Sequence, residues 1–325
     1  MNVFIVGAGF TKAIFPNAPL NQNLLEALAR KSPASASPAL RDRYKTEDIE
    51  IALTRLDVDL ASSRDQDLNE LRQRIETELA DYFNSFCASE DLMAQSQWLT
   101  RLIDGTFSQG DVAISLNYDC VLEGALDCRG KWSPNGGYGS SLDNTWMCND
   151  RPSKSPVTVL KIHGSASFII APYADKPAAK AVNFVFDECI FPRSAKNTHI
   201  GYGAGTGRSY LIAPSYVKIP TVEISYLMLD ALTATAQAKN LVIIGTALRP
   251  EDGFLTLLIT NFLRQPSWLS RKIIVVDPVA ESISNRLKDY WGVNVSSQIS
   301  PIQDQLQNSG ARLLAMIGDS EDAQQ

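Results

Sequence analysis

Four short runs constrain the fold of this chain more than anything else in it: NVFIVG at 2–7, DVAISLN at 111–117, NLVIIG at 240–245 and KIIVVD at 272–277. Each is apolar and rich in β-branched residues, and none alternates with polar residues as a half-exposed strand does. Such runs suit a parallel sheet covered on both faces. A helix-like pattern follows each one, over 21–31, 118–126, 253–263 and 279–291. The last opens beside Pro278 and closes at Gly292, the residues helix termini prefer. Strands alternating with helices predict an α/β fold, a Rossmann-like doubly wound parallel sheet.

Between the first two runs, apolar residues recur at helical spacing: Ile49, Ala52, Leu53, Leu56 and Leu60, then Leu68, Leu71, Ile75, Leu79 and Phe83. This predicts a helical layer inserted over 20–107. Loop and strand inserts are expected over 128–215, where NGGYGSS carries little periodicity. The sheet domain is expected to span 1–295, with a C-terminal helix and polar tail over 296–325.

A chain of 325 residues, 45% of them apolar, can bury a full core. Its net charge of -6 and lack of a dense Lys/Arg run give no electrostatic footprint for direct nucleic-acid binding or an anionic membrane. No apolar run approaches the roughly 20 residues of a membrane span, and MNVFIVGAGF lacks a basic n-region and cleavage site, so a cytoplasmic location is expected. The 5 cysteines include no C-x-x-C pair, which argues against a disulfide framework and a zinc ribbon. Cys120 reads as a small buried thiol rather than a nucleophile.

The first run feeds a Gly7-Ala8-Gly9 turn whose backbone N–H groups suit a pyrophosphate, with the Thr11 hydroxyl as a further phosphate donor. Lys12 stands where a dinucleotide fingerprint has its third glycine, and no acid ends a second strand at the usual interval, which argues against an ordinary dehydrogenase. GYGAGTGRS at 201–209 fails as a P-loop, since Tyr202 and Arg208 replace its glycine and lysine; His199 beside it reads as a solvated loop residue. Asn117 in SLNYD and His163 in KIHGS end apolar strands, where open α/β sheets meet their ligands. An Asn can hold a water or an amide, and a His can take a hydroxyl proton near neutral pH. The Gly245-Thr246 turn suits a ribose or phosphate, Asp252 reads as a helix cap, and Asp277 as a ribose reader or another cap.

In this order, the Gly-Ala-Gly turn, the Asn117-x-Asp119 strand end, the His163-Gly164 strand end, the Gly245-Thr246 turn and Asp277 resemble the sirtuin family, specifically the bacterial sirtuin-like domains of antiphage systems. The resemblance implies NAD as substrate. Asn117 and Asp119 would face the nicotinamide ribose and carboxamide, and His163 would be the general base on a ribose hydroxyl. Gly7, Ala8, Gly9, Thr11, Gly245, Thr246 and Asp277 would hold the phosphates and the adenosine side. Two departures place the acyl-lysine groove in question: the four-cysteine zinc module of the deacetylases is absent, and Leu116 replaces the Gln before their Asn. The resemblance therefore points to a zinc-free NAD+ hydrolase releasing ADP-ribose and nicotinamide, an effector of antiphage defence with a HerA-like hexameric ATPase or a similar defence protein as partner. Its alternatives are a deacylase or ADP-ribosyltransferase, and a non-catalytic module binding NAD or ADP-ribose. The apolar helical faces lead us to expect a homo-oligomer.

Overall fold

All four apolar runs are parallel neighbours in one sheet. The computed structural model describes residues 1–31, 35–63, 65–139, 155–172, 180–184, 208–216, 222–249, 251–265, 270–291 and 298–318. Its strands are β1 (Asn2–Val6), β2 (Val112–Ser115), β3 (Thr158–Lys161), β4 (Gly164–Pro172), β5 (Lys180–Phe184), β6 (Arg208–Leu211), β7 (Asn240–Ile244), β8 (Lys272–Val276) and β9 (Ile299–Ile302). The main sheet has the order β3-β2-β1-β7-β8-β9, every pair parallel. Counted by appearance within that sheet the order is 3-2-1-4-5-6, the doubly wound Rossmann arrangement, and its switch point lies between β1 and β7. Every residue of β7 is buried, as a strand covered on both faces requires.

The crossovers and flanking layers are α1 (Ala8–Ile14), α2 (Asn21–Lys31), α3 (Ser37–Tyr44), α4 (Ile49–Ser63), α5 (Gln66–Phe83), α6 (Glu90–Gln95), α7 (Gln97–Thr106), α8 (Val121–Cys128), α9 (Pro134–Gly137), α10 (Val222–Gln237), α11 (Gly253–Leu263), α12 (Ala280–Trp291) and α13 (Leu306–Gly318). Helix α8 starts three residues later than its periodicity predicts. Asp119 accepts the Val121 N–H at 3.1 Å, a local side-chain turn that holds 118–120 out of the helix. The C-terminal segment, expected to be helix and tail, also supplies strand β9. Pro301 in ISPI lacks an N–H, and an edge strand is where a sheet tolerates it.

The helical layer has a core of its own. Leu24, Leu28, Leu40, Ile49, Leu53, Leu56, Leu68, Ile75 and Leu79 form one buried cluster, which continues onto Tyr118, Ala166 and Leu211 beside the small antiparallel sheet β5-β4-β6. Arg72 ties α5 to α4 by its bond to Asp57 (2.7 Å) and is braced within α5 by Glu76 (2.9 Å). Burying each such leucine stabilises by about 1.5–3 kcal/mol, so the layer is held by packing rather than by its polar surface. A second buried cluster surrounds the parallel sheet. The chain crosses from one sheet to the other at His163-Gly164, where Gly164 has φ 73, and Ile212 N–H donates to His163 O at 2.8 Å to lock the corner. The motif residues therefore sit on the seam between two cores.

Candidate functional site

The floor of the site is built from interlocked glycines. Gly7 N–H donates to Ile244 O (2.9 Å) and Gly9 N–H to Gly245 O (2.8 Å), closing the two turns at the switch point against each other. Gly245 has φ 62, and a Cβ there would lie 2.5 Å from Phe10 N and 2.7 Å from Gly9 Cα, with backbone on every side. Gly245→Ala is expected to lose about 1–2 kcal/mol from the left-handed backbone and about 1–3 kcal/mol from the overlap. Denaturant unfolding measures it, and an unchanged midpoint would show that the two turns separate freely.

Above this floor opens a cleft of about 360 Å³, within the roughly 300–1,000 Å³ of small-molecule sites. One wall is the helical layer, through Asn21 and Glu50; the other is the sheet, through Asn117, His163, Thr246, Asp252 and Asp277. Asn117 is clamped. Its Nδ2 donates to Gly7 O at 3.0 Å and to Thr11 Oγ1 at 3.2 Å. Gly7 O can only accept, so the amide nitrogen must lie on that side and the carbonyl oxygen on the other. Thr11 in turn donates to Asp119 Oδ2 at 2.8 Å. Burial raises the Asp119 carboxyl above its usual range, against the opposing pull of Lys161 and the Thr11 bond.

His163 is 6% exposed and stands between two acceptors, Leu116 O 3.4 Å from Nδ1 and Asp252 Oδ2 3.3 Å from Nε2. A neutral imidazole has one N–H, so it can satisfy one of them and keeps a lone pair at the other nitrogen. Asp252 is itself fixed, because its Oδ1 caps α11 by accepting Phe254 and Leu255 N–H, each at 3.2 Å. The helix cap thus orients the histidine with its second oxygen, the role a carboxylate plays behind a general base. Asp277 lies at the end of β8 with Oδ1 accepting Val279 N–H at 3.0 Å; burial raises its carboxyl, opposed by that bond.

Beneath His163, Lys161 is fully buried and reaches Glu123, also fully buried, at 3.0 Å, with a further short bond to Asp119 O. Burial opposes the charge on Lys161, but Glu123 and Asp119 outweigh it and hold the ammonium in its charged form. Cys120 contacts Ser167 Oγ at 3.3 Å, and burial raises its thiol to about 11, so it is a packed thiol and not a thiolate at neutral pH.

The structure brings Gly7, Ala8, Gly9, Asn117, His163, Gly245, Thr246 and Asp277 to one cleft. Two expected contact residues are placed differently. Asp119 is 4% exposed and Thr11 3%; they are bonded to each other outside the lining of the cleft, and together they orient Asn117. The Asp252–His163 pair and the acidic and basic residues of the rim, Glu50 and Arg249, were not legible in the sequence as site residues. Asp252 carried a signal as a cap, and its second oxygen did not. The segments 140–154 and 185–207, with Cys148, Cys189, His199 and most of the glycine-rich loop, lie outside the described residues. Among the described residues no cluster of three His, Cys, Asp or Glu side chains is placed to hold a metal, and no helix is long and apolar enough to cross a membrane.

No family model matches this chain, and no curated protein matches it. Solved structures it is similar to include Sir2 homologues. A Sir2 homologue–NAD complex is 12% identical, with 98% of this chain and 89% of that chain covered, at a TM-score of 0.47. A mutant Sir2 homologue in complex with ADP-ribose is 11% identical over 99% and 94% at 0.46, and a Sir2–p53 peptide–NAD+ structure 10% identical over 98% and 94% at 0.44. The strand order of this chain carries the assignment of its fold.

Proposed function

We propose that this protein is an NAD+ hydrolase that releases nicotinamide and ADP-ribose. The observation that carries the reading is the convergence of His163, held by Asp252, with Asn117 at the switch point of a doubly wound sheet. The motif resemblance supplies the identity of the substrate. In the cleft Gly7, Ala8, Gly9, Gly245 and Thr246 hold the phosphate side and Asp277 a ribose. Nicotinamide departs neutral from a pyridinium, so the barrier lies in the oxocarbenium-like ribose and in placing a water. His163 draws on a ribose hydroxyl through the nitrogen left unprotonated. Asn117 positions the water, or the carboxamide, through the carbonyl oxygen turned away from Gly7. The carboxylates of Glu50, Glu251, Asp252 and Asp277 around the cleft favour the positive charge that develops.

The hydrolase reading is supported over the deacylase by Leu116 at the position of the deacetylases' Gln and by the missing zinc module. The resemblance extends the proposal to a cytoplasmic NAD-depleting effector of antiphage defence working with a HerA-like ATPase. Exposed Tyr226 and Leu229 on α10 and Leu257 on α11 favour a homo-oligomer. The test is chromatography of products from the purified chain with NAD, with and without an acylated peptide. Nicotinamide and ADP-ribose in equal amounts without peptide are expected. Release that needs the peptide would establish the deacylase instead, and tight ADP-ribose binding with no turnover in any assembly state would leave a binding module.

A further inference from the structure

Arg249 is the one Lys or Arg among the described residues of the cleft, against four carboxylates, and it is already paired across the mouth with Glu50. Glu50 belongs to α4 of the helical layer, where Asn21 Nδ2 also donates to its Oε1 at 2.8 Å. Arg249 belongs to the turn after β7. The pair therefore bridges the two walls through side chains alone. The backbone carrying Arg249 is rigid. Leu248, fully buried, has φ 48, a left-handed conformation that a leucine keeps only when its surroundings enforce it. Arg286 bonds Ala247 O, and Asp252 N–H donates to Arg249 O at 3.1 Å. The guanidinium is the part able to move, with its side chain 45% exposed, while Glu50 is 15% exposed.

We propose that Arg249 is the phosphate-recognising residue of the cleft, and that Glu50 occupies its guanidinium when no ligand is bound. This deepens the reading of the cleft as a site for NAD and rests on it. A ligand with two phosphate charges entering among Glu50, Glu251, Asp252 and Asp277 meets like charge on several sides. A planar guanidinium matches a phosphate in bidentate fashion, and that bond is stronger than a carboxylate pair whose arginine is 45% exposed. Exchange of partners supplies the missing positive charge. It also releases the Glu50 carboxylate toward the cleft and unties the helical layer from the β7 turn.

The test is calorimetric titration of the purified full chain with ADP-ribose, adenosine and inorganic pyrophosphate. Arg249→Ala is expected to weaken ADP-ribose at least tenfold and leave adenosine unchanged, with a shallower salt dependence. Arg249→Lys is expected to recover part of the loss, and Glu50→Gln to tighten ADP-ribose severalfold by removing the internal competitor. Pyrophosphate that binds wild type alone shows that the phosphate is what Arg249 reads. Equal weakening of ADP-ribose and adenosine, unchanged ADP-ribose binding in Arg249→Ala, weaker binding in Glu50→Gln, or no ADP-ribose binding by wild type would each overturn the proposal. Arginine-dependent ADP-ribose binding in a chain that never releases nicotinamide would uphold it while removing the hydrolase reading.

Discussion

Lys161→Met is expected to destabilise the protein by about 3–5 kcal/mol, because it strands a carboxylate that the fold has removed from water. Glu123 is fully buried, its Oε1 receives Lys161 Nζ at 3.0 Å and the Tyr138 hydroxyl at 3.3 Å, and among the described residues its Oε2 has no hydrogen-bond partner. Without Lys161, burial, which already raises this carboxyl, loses its largest opposing influence and only hydrogen bonds oppose it. A raised folded-state value means the folded protein takes up a proton at a pH where the unfolded chain, near about 4.3, has not. Stability of the variant is therefore expected to recover as pH falls toward that value and to be poorest at neutral pH. Replacing both partners, Lys161→Met with Glu123→Met, removes the stranded charge and is expected to restore most of the loss. Denaturant unfolding at pH 5 and pH 7.5 measures all three. A double variant as unstable as the single one would show that the pair is held for shape and not for charge.

His163→Ala is expected to lower NAD hydrolysis by about a hundredfold or more, the range of a positioned acid–base group, and Asn117→Ala to do the same. Both residues also bond the fold, so Asp252→Asn separates chemistry from structure. Asparagine caps helices as well as aspartate, so α11 and the melting temperature are expected to be unchanged. With one cap oxygen kept, its amide nitrogen replaces the carboxylate oxygen facing His163 Nε2, and the rate is expected to fall at least tenfold with KM nearly constant. Wild-type turnover in Asp252→Asn at an unchanged melting temperature would remove Asp252 from the machinery. Wild-type turnover in His163→Ala would remove the mechanism itself.

The sheet was legible where sequence and burial say the same thing. NVFIVG, NLVIIG and KIIVVD are buried on both faces and carry no side chain that objects to it. TVLK was legible as the strand that His163 ends, but not the partner of its fully buried Lys161, which lies on another element. ISPI was hidden by its proline. The helical layer followed from spacing: Ile49, Leu53, Leu56, Leu68, Ile75 and Leu79 are all buried in its core. Strand ends located Asn117 and His163, since a parallel sheet presents its ligand-facing residues there. They did not reveal what holds those side chains. Asp252 behind His163, Thr11 behind Asn117 and Glu50 against Arg249 are pairs between elements far apart in the chain, and their meeting depends on the twist and spacing of the folded sheet rather than on any local pattern.

The interlocked glycines also limit how this protein can change. Gly7, Gly9 and Gly245 touch through bare backbone, and no side chain larger than hydrogen enters that floor without displacing main chain. Single substitutions there trade away foldability before they can alter ligand preference. The walls carry no such restriction: Asn21, Glu50 and Tyr216 stand on the helical layer and on the segment bonded to it through Thr54. Substitutions that alter ligand preference are thus expected to be tolerated in the inserted layer, while the crevice of the sheet stays fixed beneath it.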